Sequence, residues 1–265
     1  MVCLTRSAPP KAKKEPPMRF LLTASLLTFA TLAPAQTVDE ILAKNFEAKG
    51  GLAKIRAVQS MRVTGKITLG PGMEAPAVIE QMRGDKVRMD ITFQGMVLTP
   101  MVLNGSSGWK LMPIQGNPNP EALSPEEMKD ALEQADMDGF LIDYQKKGHT
   151  VEYLGKEKVE GTDAYKMKVT LKSGDVRTVY IDTDSNLEIK LESKSTRRGA
   201  EVEGDTNLGD YKEVDGLILA HSIDSGQKGA PGRQVITITK VEINPKLDET
   251  RFVMPAKKET PAPVK

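Results

Sequence analysis

The stretch from Thr162 to Leu191 constrains this chain more than any other, because three strand patterns follow one another there with turn signals between them. From Ala164 to Lys172, Tyr165, Met167, Val169 and Leu171 alternate with Ala164, Lys166, Lys168 and Thr170. That period of two belongs to a strand with one apolar and one wet face. Ser173-Gly174-Asp175 turns the chain. Val176 to Asp182 is rich in β-branched and aromatic residues, and the cluster from Asp182 to Asn186 again favours a turn. Leu187, Ile189 and Leu191 then alternate with Glu188, Lys190 and Glu192. The stretch predicts an antiparallel meander with a single apolar face.

The rest of the chain extends this sheet. Thr37 and Glu40 form a capping box, and Val38, Ile41, Leu42 and Phe46 recur at helical spacing until Gly50-Gly51. A short helical piece, Leu52 to Ala57, leads into a strand with Val63 and Ile67 on one face. Strands follow at Ala77 to Met82 and at Lys86 to Phe93, where Val87, Met89, Ile91 and Phe93 share one side. Met96 to Leu103 is apolar on both parities and predicts a strand covered on both faces. Ser124-Pro125-Glu126-Glu127 opens a helix over 125–135 with Met128, Ala131, Leu132 and Ala135 in one stripe. Its Pro/Gly/Asn-rich approach from Pro113 to Pro120, and Gly139 beyond it, suit a movable lid whose Met128, Leu132 and Ala135 face a ligand. Strand patterns resume from Val151 to Asn244.

Residues 1–35 read as an N-terminal extension and secretory signal peptide, because the apolar run Phe20 to Leu32 ends at Ala33-Pro34-Ala35. Translation from Met1 or from Met18 fits equally well. Residues 36–255 form one predicted domain, and the charged, proline-rich 256–265 a disordered tail. The single cysteine, Cys3, precedes the apolar run, so the exported part has no disulfide and no lipid-acceptor cysteine. Five of the 37 Lys and Arg and one of the 36 Asp and Glu lie in the leader, so the remainder carries a formal charge of −3. That balance gives no electrostatic reason to bind nucleic acid.

Catalytic and metal chemistry find no support in the motifs. His149 and His221 lack ligand spacing and read as structural or surface residues. Asp182-x-Asp184-x-Asn186 opens like a calcium loop, but Leu187 stands where glycine is needed and Ser193 where a glutamate is needed. No nucleophile elbow or phosphate-cradling loop occurs. What stands out is apolar: one-faced strands and a methionine set that includes Met61, Met89, Met101 and Met128. Flexible, polarizable methionines suit a surface that accepts acyl chains, and equally serve to fill a core.

The element order, with Lys49-Gly50-Gly51-Leu52, Val159-Glu160-Gly161, Tyr180-Ile181-Asp182, Asp210-Tyr211-Lys212 and the ending from Asn244 through Asp248-Glu249-Thr250-Arg251-Phe252 to Pro255, resembles outer-membrane lipoprotein-sorting proteins of the LolA/LolB-like lipoprotein-carrier superfamily. The resemblance implies an α+β, mostly β fold: an unclosed antiparallel half-barrel of about eleven strands with helices covering the concave face. It implies a periplasmic, soluble, monomeric, non-catalytic carrier without cofactor that shelters the acyl chains of lipoproteins or lipids. An inner-membrane release complex and an outer-membrane acceptor are the implied partners, and an envelope sensory module binding a lipidated or protein partner is the alternative. The apolar cavity would be lined by Val63, Ile67, Val87, Met89, Ile91, Phe93, Tyr165, Met167, Val169, Leu187, Ile189 and Leu191. Where the best-known carriers use many aromatics, methionine and aliphatic side chains stand here. Arg83 and Arg88 are both strand candidates for the family's functional arginine.

Overall fold

The computed structural model describes residues 37–257 other than 71, 116 and 198. The predicted leader, and all but the first two residues of the predicted tail, lie outside the described residues. Thirteen strands form one antiparallel sheet: β1 (Ser60–Gly70), β2 (Met73–Met82), β3 (Lys86–Phe93), β4 (Met96–Asn104), β5 (Ser107–Leu111), β6 (Glu121–Ala122), β7 (Thr150–Val159), β8 (Thr162–Thr170), β9 (Val176–Asp182), β10 (Glu188–Arg197), β11 (Ala200–Val214), β12 (Leu217–Gln227) and β13 (Gln234–Ile243). The expected eleven are exceeded because short segments such as the two-residue β6 join the ladder, and propensity cannot announce a pair that small.

Sheet order is β6-β5-β4-β3-β2-β1-β13-β12-β11-β10-β9-β8-β7, so the two ends of the sheet chain pair in the middle while β6 and β7 are the free edges. Residues 123–149 connect those edges across one face, which we call inner, and carry α3 (Pro125–Ala135). The sheet stays unclosed, an open half-barrel, and α1 (Val38–Ala48) and α2 (Leu52–Ala57) complete the helices.

Both long helices begin as their sequences require. Thr37 Oγ1 accepts from the Glu40 N–H and Glu40 Oε2 from the Thr37 N–H; Ser124 and Glu127 do the same for α3. These contacts satisfy backbone donors that a helix start leaves open. α1 stops at Gly50, whose φ of 108° favours glycine and where an added Cβ would lie 2.2 Å from the Gly216 carbonyl oxygen.

Register carries one apolar row across the inner face. Val63 pairs with Ile79, Ile79 with Met89 and Met89 with Met101. On the other side Ile67 pairs with Ile236, Ile236 with Ile223 and Ile223 with Leu208. A further segment, Leu191, Val179 and Met167, pairs in turn beside it, with Leu191 meeting Thr206 on β11. The outer face has its own small core: Val102 and Trp109 pack under Leu247 and Phe252, and Trp109 Nε1 donates to the Phe252 carbonyl at 3.0 Å. β4 is therefore covered on both sides, by α3 within and by this C-terminal segment without.

Candidate functional site

The inner face is apolar and lies under two helices that cover different parts of it. At one end, Ile41 and Leu42 of α1 pack with Tyr165, Met167, Val169, Val179 and Ile181. At the other, Ala131 and Ala135 of α3 pack with Val87, Leu103 and Leu123, and Met128 sits against them. Between them, Ile67, Ala75, Ala77, Ile91 and Leu98 form a third cluster flanked by Met89, Phe93, Met112 and Ile236. The two sets expected to share a surface, Val87 to Phe93 and Tyr165 to Val169, thus lie on one face but in separate clusters. Val87, Met167 and Val169 are fully buried; Val63, Met89, Phe93, Ile189 and Leu191 keep part of their surface open.

Polar bonds tie α3 to the opposite wall. Lys129 Nζ lies 2.5 Å from Asp175, Arg177 donates to both Glu133 oxygens at 3.0 and 2.7 Å, and Arg197 donates to Asp130 at 2.9 Å. One side of the helix therefore rests on β3 and β4 through small apolar residues, and the other reaches β9 and β10 through charge. The cap residue Glu127 is held at a pKa of about 2, chiefly by its bond from Lys110 at 2.6 Å and then by the Ser124 N–H.

β12 and β13 pair only from Ser222↔Thr237 to Ser225↔Gln234, so their other halves separate. The Lys49 carbonyl takes the freed edge by accepting from the Ile218 N–H at 3.1 Å. Inside this fork is a cavity of about 240 Å3 lined by Ile55, Val58, Met61, Met137, Ile142 and Leu219, among others. Beside it Lys49 reaches Glu188 at 2.9 Å. Burial, the strongest influence on the Glu188 carboxyl, pushes its pKa up, but attraction and hydrogen bonding from Lys49 outweigh it and hold the group below the usual carboxylate range.

Three expectations need correction, on Leu187, Leu132 and Arg83, while Arg88 does lie in a strand, β3. Leu187 lies before β10 in the turn, and a bulge between Glu188 and Lys190 turns Glu188 inward, where it is 7% exposed, so the alternation of Leu187, Ile189 and Leu191 is broken. Leu132 is 45% exposed: the contact stripe runs through Met128, Ala131 and Ala135, and Leu132 sits on its flank. Arg83 follows β2 in the turn and grips the Val58 and Ile55 carbonyls and both Asp138 oxygens. Arg88 is on the outer face, bound to Asp90 and the Arg251 carbonyl. His221 is buried with Nδ1 2.9 Å from the Leu219 carbonyl, and His149 Nδ1 accepts from the Lys172 N–H. Asp182 spends its carboxylate on the turn, accepting from Asp184 N–H and Ser185 Oγ.

Sequence reasoning passed over Arg177. The signal was available, since Arg177 has the parity of Val179 and Ile181 and so had to face inward. The fork cavity had no such signal, because distant segments assemble it. Among the described residues, no His, Cys, Asp and Glu side chains group as metal ligands would, and no helix is long and apolar enough to cross a membrane.

No protein-family model matches the sequence. No curated protein matches it either. Solved structures do. A domain from Vibrio parahaemolyticus, named for outer membrane lipoprotein sorting, aligns over 80% of this chain and 94% of its own at 13% identity and a TM-score of 0.53. A LolA superfamily protein from Nitrosomonas europaea aligns over 83% and 98% at 14% identity and a TM-score of 0.55. A DUF1329 family protein from Desulfovibrio piger aligns over 79% and 95% at 13% identity and a TM-score of 0.53. On this likeness and its own unclosed antiparallel sheet, the chain has a LolA-like fold, an open half-barrel.

Proposed function

We propose that the protein is a non-catalytic carrier that takes the acyl chains of a lipoprotein or lipid out of water on its inner face. The observation that carries this reading is the apolar inner face from β4 to β8, whose β3 and β4 end lies beneath a helix, α3, that contributes only two fully buried side chains, Ala131 and Ala135, to the contact. Each methylene moved from water onto such a surface contributes about 0.8 kcal/mol. Val63, Met89, Phe93 and Leu191 are reached first, Ile91 and Ile67 lie in the middle cluster beside them, and Val87 is reached once α3 lifts. In this reading the leader is removed after Ala35 and the protein works as a soluble monomer in the periplasm, between a donor in the inner membrane and an acceptor in the outer.

The test is mass spectrometry of ligands that co-purify from a periplasmic extract, followed by titration of the delipidated protein with a fluorescent fatty acid. Acyl-bearing ligands and saturable probe binding are expected. Recovery of a tightly held protein partner, with no lipid and no probe binding, would overturn the carrier reading in favour of a sensory module.

A further inference from the structure

α3 is fastened to the far wall by an arginine in an unusual place. Arg177 faces inward on β9 between apolar neighbours, with Val169 and Ser193 as its cross-strand partners, and is 8% exposed. Burying a guanidinium costs free energy unless an anion meets it with good geometry. Here Glu133 of α3 supplies that anion through both oxygens, while Arg177 Nη1 donates to the Val176 carbonyl and so is fixed by its own strand. A two-pronged guanidinium contact of this kind suits a carboxylate or a phosphate equally.

A groove leads to the far side of Glu133. Asp130, Glu133, Gln134, Gly139, Phe140 and Arg197 border this surface groove of about 420 Å3, and Arg177 lies behind Glu133, outside its lining. Arg197 is half exposed there and donates to Asp130. If α3 lifts to admit a chain, Arg177 loses Glu133 while still flanked by Val169 and Ser193 on the neighbouring strands. A neutral cargo leaves that loss standing. An anionic head group restores it.

Resting on the carrier reading above, we propose that Arg177 is a head-group subsite, that Glu133 occupies it while the lid is closed, and that the cargo is an anionic amphiphile whose head displaces Glu133. Arg197 guides the head group along the groove, and Lys129 leaves Asp175 as it moves outward with α3.

The experiment uses the delipidated protein with the uncharged dye N-phenyl-1-naphthylamine bound, displaced by dodecyl phosphate, dodecanoate or dodecanol. At low salt both anions are expected to displace the dye on the order of tenfold more strongly than dodecanol, as one charge-assisted contact allows. Salt should shrink the difference, and inorganic phosphate alone should leave the dye in place. Arg177→Met should remove the preference, bringing both anions to the level of dodecanol measured on the same variant. Should that variant melt early, Arg177→Lys keeps a charge without the two-pronged geometry and should reduce the preference several-fold. Equal displacement by all three amphiphiles, a preference that survives both Arg177 variants, or displacement by inorganic phosphate alone would overturn the head-group proposal and leave the acyl-chain reading standing. Failure of every amphiphile to displace the dye would overturn both.

Discussion

α1 and α3 are both eleven residues long, both start with a complete capping box, and both lie on the inner face, yet they are held by different physics. α1 buries Ile41 and Leu42 in a nine-residue cluster, sends Asn45 Nδ2 to the Asn186 carbonyl at 2.8 Å, and ends in the Lys49–Glu188 pair. α3 buries two alanines and leans on ion pairs to β9 and β10. Full burial of one Ile or Leu contributes about 1.5 to 3 kcal/mol, and nothing in water replaces it. An exposed ion pair such as Arg197–Asp130 contributes about 0 to 1 kcal/mol, and at the more buried Arg177–Glu133 pair another anion can stand in for the glutamate. The comparison teaches that α1 is a plug and α3 a fastening that can be exchanged.

The strongest way to break that contrast is Ile41→Asp. An unpaired carboxylate would enter a cluster in which Ile41 is 0% exposed. The expected loss is several kcal/mol from a total of about 5 to 15. A urea midpoint unchanged from wild type would show that α1 is not a plug. Next comes Lys49→Met, which leaves the buried Glu188 without its cation. Because Lys49 is itself 31% exposed and water can reach the site, a loss of about 3 kcal/mol is expected, the low end for breaking a buried pair. Adding Glu188→Gln should recover most of it, and a double-mutant cycle with no coupling would remove the pair from the account of α1. The matching change at α3, Arg197→Met, should cost only about 0.2 to 1 kcal/mol.

Much of this contrast was legible in the sequence. Caps, stop glycines and the strands of the 162–191 meander are local, and the periods of 2 and 3.6 found them. The start of α3 at Pro125 follows from Ser124, Pro125 and Glu127 alone. The bulge at Glu188 was illegible, because one extra residue reverses parity and only Lys49, from just beyond a distant helix, makes an inward glutamate tolerable. Arg177 was half legible: its parity placed it inside, while its partner Glu133 lies 44 residues earlier on an element whose docking angle no pattern states.

Acid should act on α3 through its cap. Glu127 titrates at about 2 in the folded chain, against about 4.3 for an unperturbed glutamate. A depressed carboxylate contributes stability above the unfolded value and loses it as pH falls through the folded one. Fraying of the first turn of α3 is therefore expected between about pH 4.3 and 2, and not above. The effect is modest, since the Glu127 side chain is 40% exposed and solvent screens its bond to Lys110. Hydrogen exchange of the α3 amides, corrected for intrinsic rates, should rise through that window in wild type and hold a flatter course in Glu127→Gln. Identical profiles would remove Glu127 from the fastening.

The smallest expected effect is the most informative partner to Ile41→Asp: the same side chain, Asp, placed at Leu132. Leu132 is 45% exposed, so a carboxylate there keeps its water. Within the helix it gains Lys129 three residues before it and meets Asp136 four residues after it, two terms of about 0.2 to 0.5 kcal/mol and opposite sign. Stability should therefore stay within about 0.5 kcal/mol of wild type. Binding should not be spared. If α3 rides over the cargo, Leu132 on the flank of the contact stripe meets the chain, and replacing it should weaken displacement by dodecanol roughly tenfold through lost apolar contact. Melting and binding measured on the same variant separate the terms. A melting temperature lowered as far as in Ile41→Asp would mean that the Leu132 flank belongs to a fixed core. α3 would then be a second plug, and the exchange of Glu133 for a head group at Arg177 would have no lid to carry it.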